Sequence, residues 1–314
     1  MLTAKKMIHK RFASRKLGGP WEGHRGMDGS TDSHAGMADT ALARAFVART
    51  AAAGDRRLAD ALAVLMRALG DIICLTNASR ADLRAVIGFL TEVGEACDDK
   101  RQEWVLLSDV LGLTSAVEDH NASRPEGATP NTMPGPFYRP GAPLRADGQT
   151  VSLDGQGPAL RLDLTVAGLN GVGIEGALVE IWQANAAGIY ENQEPDLQPE
   201  FNLRGSYRSG PGGRLSIRTV RPAGYAIPDD GPVGRLMAGL GLPVRRPAHL
   251  HFRITAPGFQ TLTTHVFDRA DPAIHADPLF CVHPDLLCDL LPEGDGWRAD
   301  FRFVLAGVAP GPDL

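Results

Sequence analysis

Hydrophobic residues in the first third of the chain recur every three or four positions, the spacing of an amphipathic helix. One stripe consists of Leu58, Leu62, Leu65, Leu69 and Ile72. The next consists of Leu83, Val86, Ile87, Leu90, Val93 and Cys97. Ser79, with Asp82 three residues later, is a typical start signal for this second helix.

A third helix is predicted from about Asp98 to Glu118. Its inward side chains would be Trp104, Leu107, Leu111 and Val117. Three such helices cannot bury all their apolar surface against one another. We therefore expect part of it to pack on another domain or on a second subunit.

From residue 158 onward the hydrophobic period changes to two, which is typical of half-buried strands. The predicted strands cover 160–166, 177–181, 214–220, 249–256, 261–267 and 298–305. Turn signals such as Leu169-Asn170-Gly171 separate them. The predicted fold class is therefore α+β and mainly β, with an N-terminal helical segment followed by an antiparallel β-sandwich.

Four segments result from these patterns. Residues 1–40 have no hydrophobic period and are predicted to be a disordered tail. Residues 41–124 form the helical segment, and residues 151–314 form the β-sandwich domain. Between them, residues 125–150 carry six prolines, a density that no helix tolerates, and are predicted to be a connector.

Composition and charge narrow the class of protein. The chain has 314 residues, of which 43% are hydrophobic and 22% charged, as in a soluble globular protein. No apolar run is long enough to span a membrane. Residues 1–25 hold seven basic side chains against Glu22 alone, a net charge of +6. Because the whole chain has a net charge of −5, the remaining residues carry −11. An acidic body argues against nucleic acid as a partner.

The basic tail and the cysteines bear on location. The tail lacks the apolar core of a secretory signal, and it is interpreted as a disordered extension in preference to an organelle transit peptide. The four cysteines are widely spaced, without a C-x-x-C pair. We interpret them as reduced, buried thiols of a cytoplasmic protein.

The strand beginning at His249 contains the first candidate metal-binding residues. His249 and His251 alternate with Leu250, Phe252 and Ile254. Side chains two apart on a strand share a face and lie roughly 6.5 Å apart along it. The two imidazoles are therefore predicted to point the same way, as half of a transition-metal site. A polar strand facing solvent is the alternative.

Tyrosines supply the other half of the predicted site. Three of the four in the chain, Tyr190, Tyr207 and Tyr225, lie between the second predicted strand and the histidine strand. A phenol with a pKa of about 10 binds few metals, but ferric iron is a strong enough Lewis acid to hold a tyrosinate. Two histidines and two tyrosinates would leave Fe(III) with one positive charge and room for a substrate oxygen. Each tyrosine taken alone is more often a packed aromatic than a ligand.

Four motifs now resemble one known family. They are Gly-Pro-Phe-Tyr at 135–138, Gly188-x-Tyr190, Gly224-Tyr225 and Arg246-Pro-Ala-His-x-His251. Their order and spacing resemble those of intradiol ring-cleaving dioxygenases, non-haem Fe(III) enzymes that split catechols between the two hydroxyls. Further stretches resemble the hydroxyquinol 1,2-dioxygenases of that family, at 98–103, 107–112, 201–205, 218–225, 230–234 and 264–267.

The resemblance implies roles for particular residues. Tyr190, Tyr225, His249 and His251 would be the iron ligands, and the substrate would displace Tyr225, which accepts a proton. Arg246 would lie over the substrate ring, and His265 would help it to stabilise negative charge in the reaction. A pocket wall is implied from Leu106, Asp109, Met133, Pro134, Gly135, Pro136, Phe137, Ile227 and Pro228. No organic cofactor is implied.

The resemblance also implies a substrate and an assembly. Hydroxyquinol (benzene-1,2,4-triol) and O2 would give 3-hydroxy-cis,cis-muconate, the tautomer of maleylacetate, in aromatic compound degradation. Asp109 could accept a hydrogen bond from the third hydroxyl. The helical segment would form a homodimer, with lipid in an apolar tunnel there. Two alternatives are a catechol or substituted-catechol 1,2-dioxygenase and a non-catalytic β-sandwich module with a structural metal.

Overall fold

The computed structural model describes residues 41–50, 53–99, 101–121 and 125–308. The predicted tail at 1–40 lies outside the described residues. The described chain divides into two compact units, with the division after Val86. This division falls within the predicted helical segment, and the four-segment scheme itself stays a prediction.

The first unit is helical. Helix α1 spans Ala41–Thr50 and α2 spans Arg56–Thr76. The carboxylate of Asp55 caps α2 by accepting the Leu58 backbone N–H at 2.9 Å, and Asn77 ends the helix in a left-handed conformation. The predicted stripe on α2 exists, but most of its side chains are exposed.

Helix α3, Arg80–Glu95, crosses the division between the units. As predicted, it starts with a capping box, in which the Ser79 hydroxyl accepts the Asp82 N–H and the Asp82 carboxylate accepts the Ser79 N–H at 2.8 Å.

The predicted third helix is wrong in extent and in its buried face. It begins at residue 103 and breaks at Gly112, where φ is +73°, into α4 (Glu103–Val110) and α5 (Leu113–Asn121). Of its four predicted inward side chains only Leu107 is buried. The other three, Trp104, Leu111 and Val117, are about half exposed.

Two β-sheets form the framework of the second unit. Strands β1 (Ala159–Gly168), β4 (Arg214–Val220), β8 (Leu291–Glu293) and β9 (Gly296–Leu305) form one sheet, in the order β4-β1-β9-β8. Strands β2 (Leu178–Trp182), β3 (Arg204–Arg208), β5 (His249–Thr255), β6 (Leu262–Asp268) and β7 (Leu287–Cys288) form the other, in the order β3-β2-β5-β6-β7.

The strands are not all antiparallel, which corrects the predicted topology. β1 pairs with β9 in parallel, and so does β6 with β7. The predicted class, mainly β with helices at the N-terminal end, is confirmed. Among the described elements, the sequence patterns missed α1, the strands β3, β7 and β8, and the helix α6, Pro232–Leu240.

One apolar core draws side chains from both sheets. Leu162 and Phe303 of the four-stranded sheet and Phe252 and Ile254 of the five-stranded sheet belong to the same buried cluster. The two sheets therefore face each other across a shared core. Because Phe252 points into this core, its strand neighbours His249 and His251 point to the opposite face of the five-stranded sheet.

A second apolar cluster covers part of that opposite face. It includes Phe267 of β6, Val110 of α4, Met133 of the connector and Met237 of α6. The backbone N–H of Val233, at the start of α6, donates to the fully buried Glu103 carboxylate at 3.0 Å, which ties α6 to α4.

The cysteines follow the prediction only in part. All four are free thiols, but only Cys281 and Cys288 are buried, whereas Cys97 is intermediate and Cys74 is exposed. Within the described residues, no helix combines the length and the apolar character needed to cross a membrane.

Candidate metal centre

Strand pairing brings three histidines together on the outer face of the five-stranded sheet. His251 of β5 lies opposite His265 of β6 on one side and Trp182 of β2 on the other. His249, two residues before His251, faces the same way. One ring nitrogen of each histidine lies within 4.8 Å of the others, and all three side chains are buried. The alternative of a solvent-facing strand is therefore wrong.

His249 has the tautomer that a metal ligand needs. Its Nδ1 lies 2.7 Å from the Pro247 carbonyl oxygen. A carbonyl only accepts, so Nδ1 carries the proton and Nε2 carries the lone pair. Nε2 is buried without a hydrogen-bond partner among the described residues. Burial, and then the nearby Arg246 cation, lower the pKa of His249 to about 3, so the ring is neutral.

His251 is held between two groups. Its ring stacks on Trp182 at 4.8 Å between centroids, and its Nε2 lies 3.1 Å from the Tyr190 hydroxyl oxygen. Gly135 allows the connector to come close, because a Cβ there would lie 3.3 Å from His251 Cε1.

Glycines bring the two tyrosine loops together. A Cβ on Gly188, whose φ is +85°, would lie 3.0 Å from the Gly224 carbonyl oxygen and 3.0 Å from Tyr225 Cβ. A Cβ on Gly224 would collide with the Arg246 carbonyl oxygen at 2.3 Å. These close approaches explain why glycine lies next to the predicted tyrosine ligands.

The two phenols end up beside the histidines. The Tyr190 and Tyr225 rings meet edge to face at 5.8 Å, and Tyr225 lies 5.5 Å from His249 between ring centroids. Tyr190 is fully buried, whereas Tyr225 is only partly buried. Burial, and then the Tyr225 phenol, raise the pKa of Tyr190 well above its ordinary value. Only a strong Lewis acid would therefore stabilise the Tyr190 phenolate.

A buried ion pair supports the Tyr190 loop. Glu191 accepts hydrogen bonds from Arg204 and Arg139, both at 2.6 Å, and Arg204 also donates to the Phe137 carbonyl at 2.5 Å. Phe137 in turn stacks on Tyr190, with 4.3 Å between ring centroids. The pattern of the sequence gave no sign of this network.

Arg246 is buried and paired. Its Nε and Nη2 donate to the two carboxylate oxygens of Asp277, at 3.0 and 3.3 Å. Burial opposes the charge of Asp277, but Arg246 more than offsets this and holds the pKa of Asp277 below its usual value. Sequence reasoning missed Asp277 as the partner of Arg246, because it lies in a loop without hydrophobic periodicity.

His265 is fixed by the connector. Its Nδ1 makes a short contact with the Thr132 hydroxyl, and its Nε2 is buried without a partner among the described residues. The ring lies 4.1 Å from that of His251 and stacks on Phe267. Burial, and then His251, lower the pKa of His265 well below its ordinary value, so this ring is neutral too.

The predicted pocket residues other than Asp109 fall into three groups. Leu106, Met133 and Ile227 pack in the second apolar cluster, and Gly135 and Phe137 contact His251 and Tyr190. The remaining prolines, Pro134, Pro136 and Pro228, are exposed, and their place in a pocket stays a prediction.

Asp109 is not an ordinary helix aspartate. It is 6% exposed, and its Oδ1 accepts the Thr114 hydroxyl at 2.6 Å. Burial raises the pKa of Asp109 above its usual value, against the opposing effects of Thr114 and the Arg246 cation.

These residues fit a metal ion. Buried, neutral imidazoles with unpaired nitrogens lie beside the buried Tyr190 phenol, whose ionisation a nearby cation would favour. The histidine cluster can bind a metal through His249 and His251. Whether His265 is a third ligand depends on which of its nitrogens carries the proton.

Comparison with known proteins identifies the family of this chain. The family model described as "Dioxygenase" matches residues 133–307, and the model described as "Catechol dioxygenase N terminus" matches residues 55–129. The chain is 39% identical to a hydroxyquinol 1,2-dioxygenase of Rhizobium sp. strain MTP-10005, over 84% of this chain and 94% of the relative. It is 42% identical to a 6-chlorohydroxyquinol 1,2-dioxygenase of Cupriavidus pinatubonensis, over 84% and 96%.

Solved structures extend the comparison. The fold superposes on hydroxyquinol 1,2-dioxygenase from Pseudomonas putida DLL-E4 with a TM-score of 0.82 and 33% identity, covering 85% of this chain and 98% of that one. The alternative of a non-catalytic module has no support from these relatives, all of which are named as dioxygenases. The matched models and the identity over most of both chains make this protein a member of the catechol dioxygenase family of intradiol ring-cleaving enzymes.

Proposed function

We propose that this protein is a non-haem Fe(III) dioxygenase that cleaves hydroxyquinol between its adjacent hydroxyls to 3-hydroxy-cis,cis-muconate, and so to maleylacetate, in aromatic compound degradation. The observation that carries the proposal is the buried, unpaired Nε2 of His249 beside the Tyr190–His251 pair at 3.1 Å. The named activities of the two relatives support the choice of substrate.

Tyr190, Tyr225, His249 and His251 would hold the ferric ion. Two phenolates and two neutral imidazoles leave one positive charge, and phenolate oxygen is a ligand that a hard, trivalent cation stabilises. When bound, Fe(III) supplies Lewis acidity, which favours the ionised substrate and prepares its ring for attack by O2.

The two tyrosines would have different roles because their surroundings differ. Tyr190 is fully buried, stacked on Phe137 and supported through Glu191, so it stays in place. Tyr225 is only partly buried and follows Gly224 in a loop. Its phenol oxygen is therefore the group that yields to an incoming substrate and takes a proton from a substrate hydroxyl.

Arg246 would stabilise negative charge on the substrate. Its guanidinium is buried beside Tyr225 and cannot lose its proton, because Asp277 raises the pKa of Arg246 well above its ordinary value despite the burial. Two hydrogen bonds to Asp277 fix its plane before the substrate arrives, so its charge needs no reorganisation during the reaction. The apolar cluster around Met133 and Ile227 would exclude water.

Asp109 would recognise the third hydroxyl. Thr114 occupies only Oδ1, and among the described residues no donor is found for Oδ2. A hydroxyl at the fourth ring position could donate to Oδ2, whereas catechol would leave this oxygen without a partner. Cleavage of catechol or a substituted catechol remains the alternative, and the same family includes a catechol 1,2-dioxygenase of Candida albicans that is 33% identical over 64% of this chain.

An oxygen-uptake assay tests the function. Purified protein would be given hydroxyquinol, catechol and substituted catechols, with iron content and product measured on the same sample. We expect one O2 consumed per hydroxyquinol, one iron per chain and a higher kcat/KM for hydroxyquinol than for catechol. Iron-loaded protein that consumes O2 with neither compound would contradict the proposal.

A homodimer through the helical segment belongs to the same proposal. The side chains of Leu58, Leu65, Leu69 and Ile72 on α2 are between 41% and 55% exposed, an apolar stripe that a second copy or a lipid chain would cover. Sedimentation should give a dimer, and Leu65→Lys should shift it to monomer while Arg67→Lys should not. Mass spectrometry of an organic extract would show whether lipid is bound.

Four free thiols support a cytoplasmic location.

A further inference from the structure

The hydroxyl of Thr132 has one hydrogen-bond partner among the described residues, His265 Nδ1. Both side chains are buried, Thr132 at 8% and His265 at 0% exposure. The opposite nitrogen of the ring, His265 Nε2, is buried without a partner and lies beside His249 and His251. The contact between Thr132 and His265 therefore determines what His265 offers to the metal centre.

Two arrangements of protons are possible for a neutral ring. If His265 Nδ1 donates to Thr132, the threonine O–H has no acceptor and Nε2 has no donor, so one buried donor and one buried acceptor are unsatisfied. If the threonine O–H donates to Nδ1, only the Nε2–H remains unsatisfied. Because each unsatisfied buried polar group costs free energy, the second arrangement is the more stable one.

We propose that Thr132 is a positioning residue that donates its hydroxyl hydrogen to His265 Nδ1 and holds His265 in the tautomer with the proton on Nε2. A nitrogen that carries a proton cannot bind a metal ion. The cluster of three histidines thus divides into two ligands, His249 and His251, and one hydrogen-bond donor, His265. This inference rests on the proposed function for its role in catalysis, but the tautomer itself does not depend on it.

The backbone holds Thr132 in place for this role. Its N–H donates to the Thr263 carbonyl at 2.8 Å, and the hydroxyl of Thr264 donates to the Pro130 carbonyl at 2.6 Å. Asn131 also accepts the Thr263 N–H at 3.2 Å. Residues 130–132 therefore run along β6 next to His265, so the position of the hydroxyl is set by the strand itself.

The proposed donor has a clear use. With a metal ion held by His249 and His251, the His265 N–H could donate to an oxygen of the substrate or of O2 as negative charge develops on it. His249 and His251 cannot do so if both Nε2 atoms are ligands.

Nitrogen-15 NMR of histidine-labelled protein, recorded without metal, tests the tautomer directly. We expect the His265 proton on Nε2 in the wild type and in Thr132→Ser, which keeps the hydroxyl. Thr132→Val should release the ring to a mixture of tautomers and lower kcat about tenfold, the size of effect seen when an orienting partner is lost. Thr129→Val is the matched control, since Thr129 is equally buried but its hydroxyl accepts the Val304 N–H at 2.8 Å.

A second measurement tests the division of the histidines. Iron content should stay at about one per chain in His265→Ala and fall in His249→Ala and His251→Ala. A wild-type spectrum with the proton on Nδ1 would overturn the proposal, whatever Thr132→Val does to folding. So would a Thr132→Val variant with an unchanged tautomer, or loss of iron from His265→Ala. Absence of ring cleavage with the expected tautomer would refute the proposed function and leave the tautomer standing.

Discussion

Arg246 and Asp277 form a two-bond ion pair at 3.0 and 3.3 Å in which both side chains are about 2% exposed. The carboxylate also accepts the backbone N–H of Cys281 at 3.1 Å. The loop at 277–281 and the arginine beside the candidate metal centre therefore fix each other. Arg246 reaches the site with its orientation already determined.

Asp277→Asn should damage both stability and catalysis. The substitution keeps the shape but leaves the Arg246 cation buried without a counter-charge, which typically costs about 3–5 kcal/mol of unfolding free energy. Misplacement of the guanidinium should lower kcat/KM about 100-fold. Denaturant unfolding and steady-state kinetics measure the two effects.

Asp289→Asn is the control for Asp277→Asn. Asp289 pairs with Arg269 at 2.9 Å, but both side chains are more than half exposed. Loss of such a pair should cost less than about 1 kcal/mol and leave turnover unchanged. If the two variants behave alike, the buried pair has no special role.

Tyr190→Phe should weaken and shift the visible absorption expected from tyrosinate on Fe(III), because Tyr225 would remain as the single tyrosinate ligand. Tyr207→Phe is the matched control, because Tyr207 is equally buried but its hydroxyl donates to the Gln149 carbonyl at 2.8 Å, away from the centre. The spectrum of each variant is compared with its iron content. A Tyr190→Phe protein that keeps both the iron and the wild-type colour would remove Tyr190 from the ligand set.

Asp109→Asn should change selectivity more than folding. The carboxylate would be replaced by a weaker acceptor, so kcat/KM for hydroxyquinol should fall about tenfold or more while that for catechol changes little. Asp119→Asn, at an exposed position of α5, should change neither value. An equal decrease in kcat/KM for both substrates would show that Asp109 supports the structure and does not bind the third hydroxyl.

The cysteines should differ sharply in reactivity. Burial raises the pKa of Cys281 to about 12 and that of Cys288 to about 11, so very little of either is thiolate at pH 8. Cys74 is exposed. Iodoacetamide at pH 8 followed by mass spectrometry should show rapid modification of Cys74, with Cys281 and Cys288 modified only after denaturant is added. Rapid modification of native Cys281 would mean that the loop holding Asp277 opens readily.

Several features were open to prediction because their signal is local. Alternation along 249–255 places His249 and His251 on the face opposite Phe252, and the capping box at Ser79 marks the start of α3. The glycines before Tyr190 and Tyr225 also have a local cause, since the loops meet where a Cβ would not fit.

Other features depend on contacts between distant parts of the chain. Nothing near Gly112 in the sequence distinguishes a break in a helix from a glycine tolerated within it. The parallel pairing of β1 with β9 joins segments more than a hundred residues apart. Strand β3 was missed because Arg204 and Ser206 are polar, yet both are buried and bonded to loop residues.

The same limit applies to the candidate site. Its ligands were predicted from motifs, and their roles stay predictions. The site is oriented by Asp277, which pairs with Arg246, and by Thr132, which contacts His265. Both lie in loops that have no hydrophobic periodicity and no motif of their own.

The location and ligands of the metal test the account most directly. A crystal of the iron-loaded protein, measured at the iron absorption edge, gives an anomalous map. The account predicts one peak within bonding distance of the phenol oxygens of Tyr190 and Tyr225 and of Nε2 of His249 and His251, with His265 Nε2 farther away. A peak bonded to all three histidines without a tyrosine, or no peak between these side chains, would contradict it.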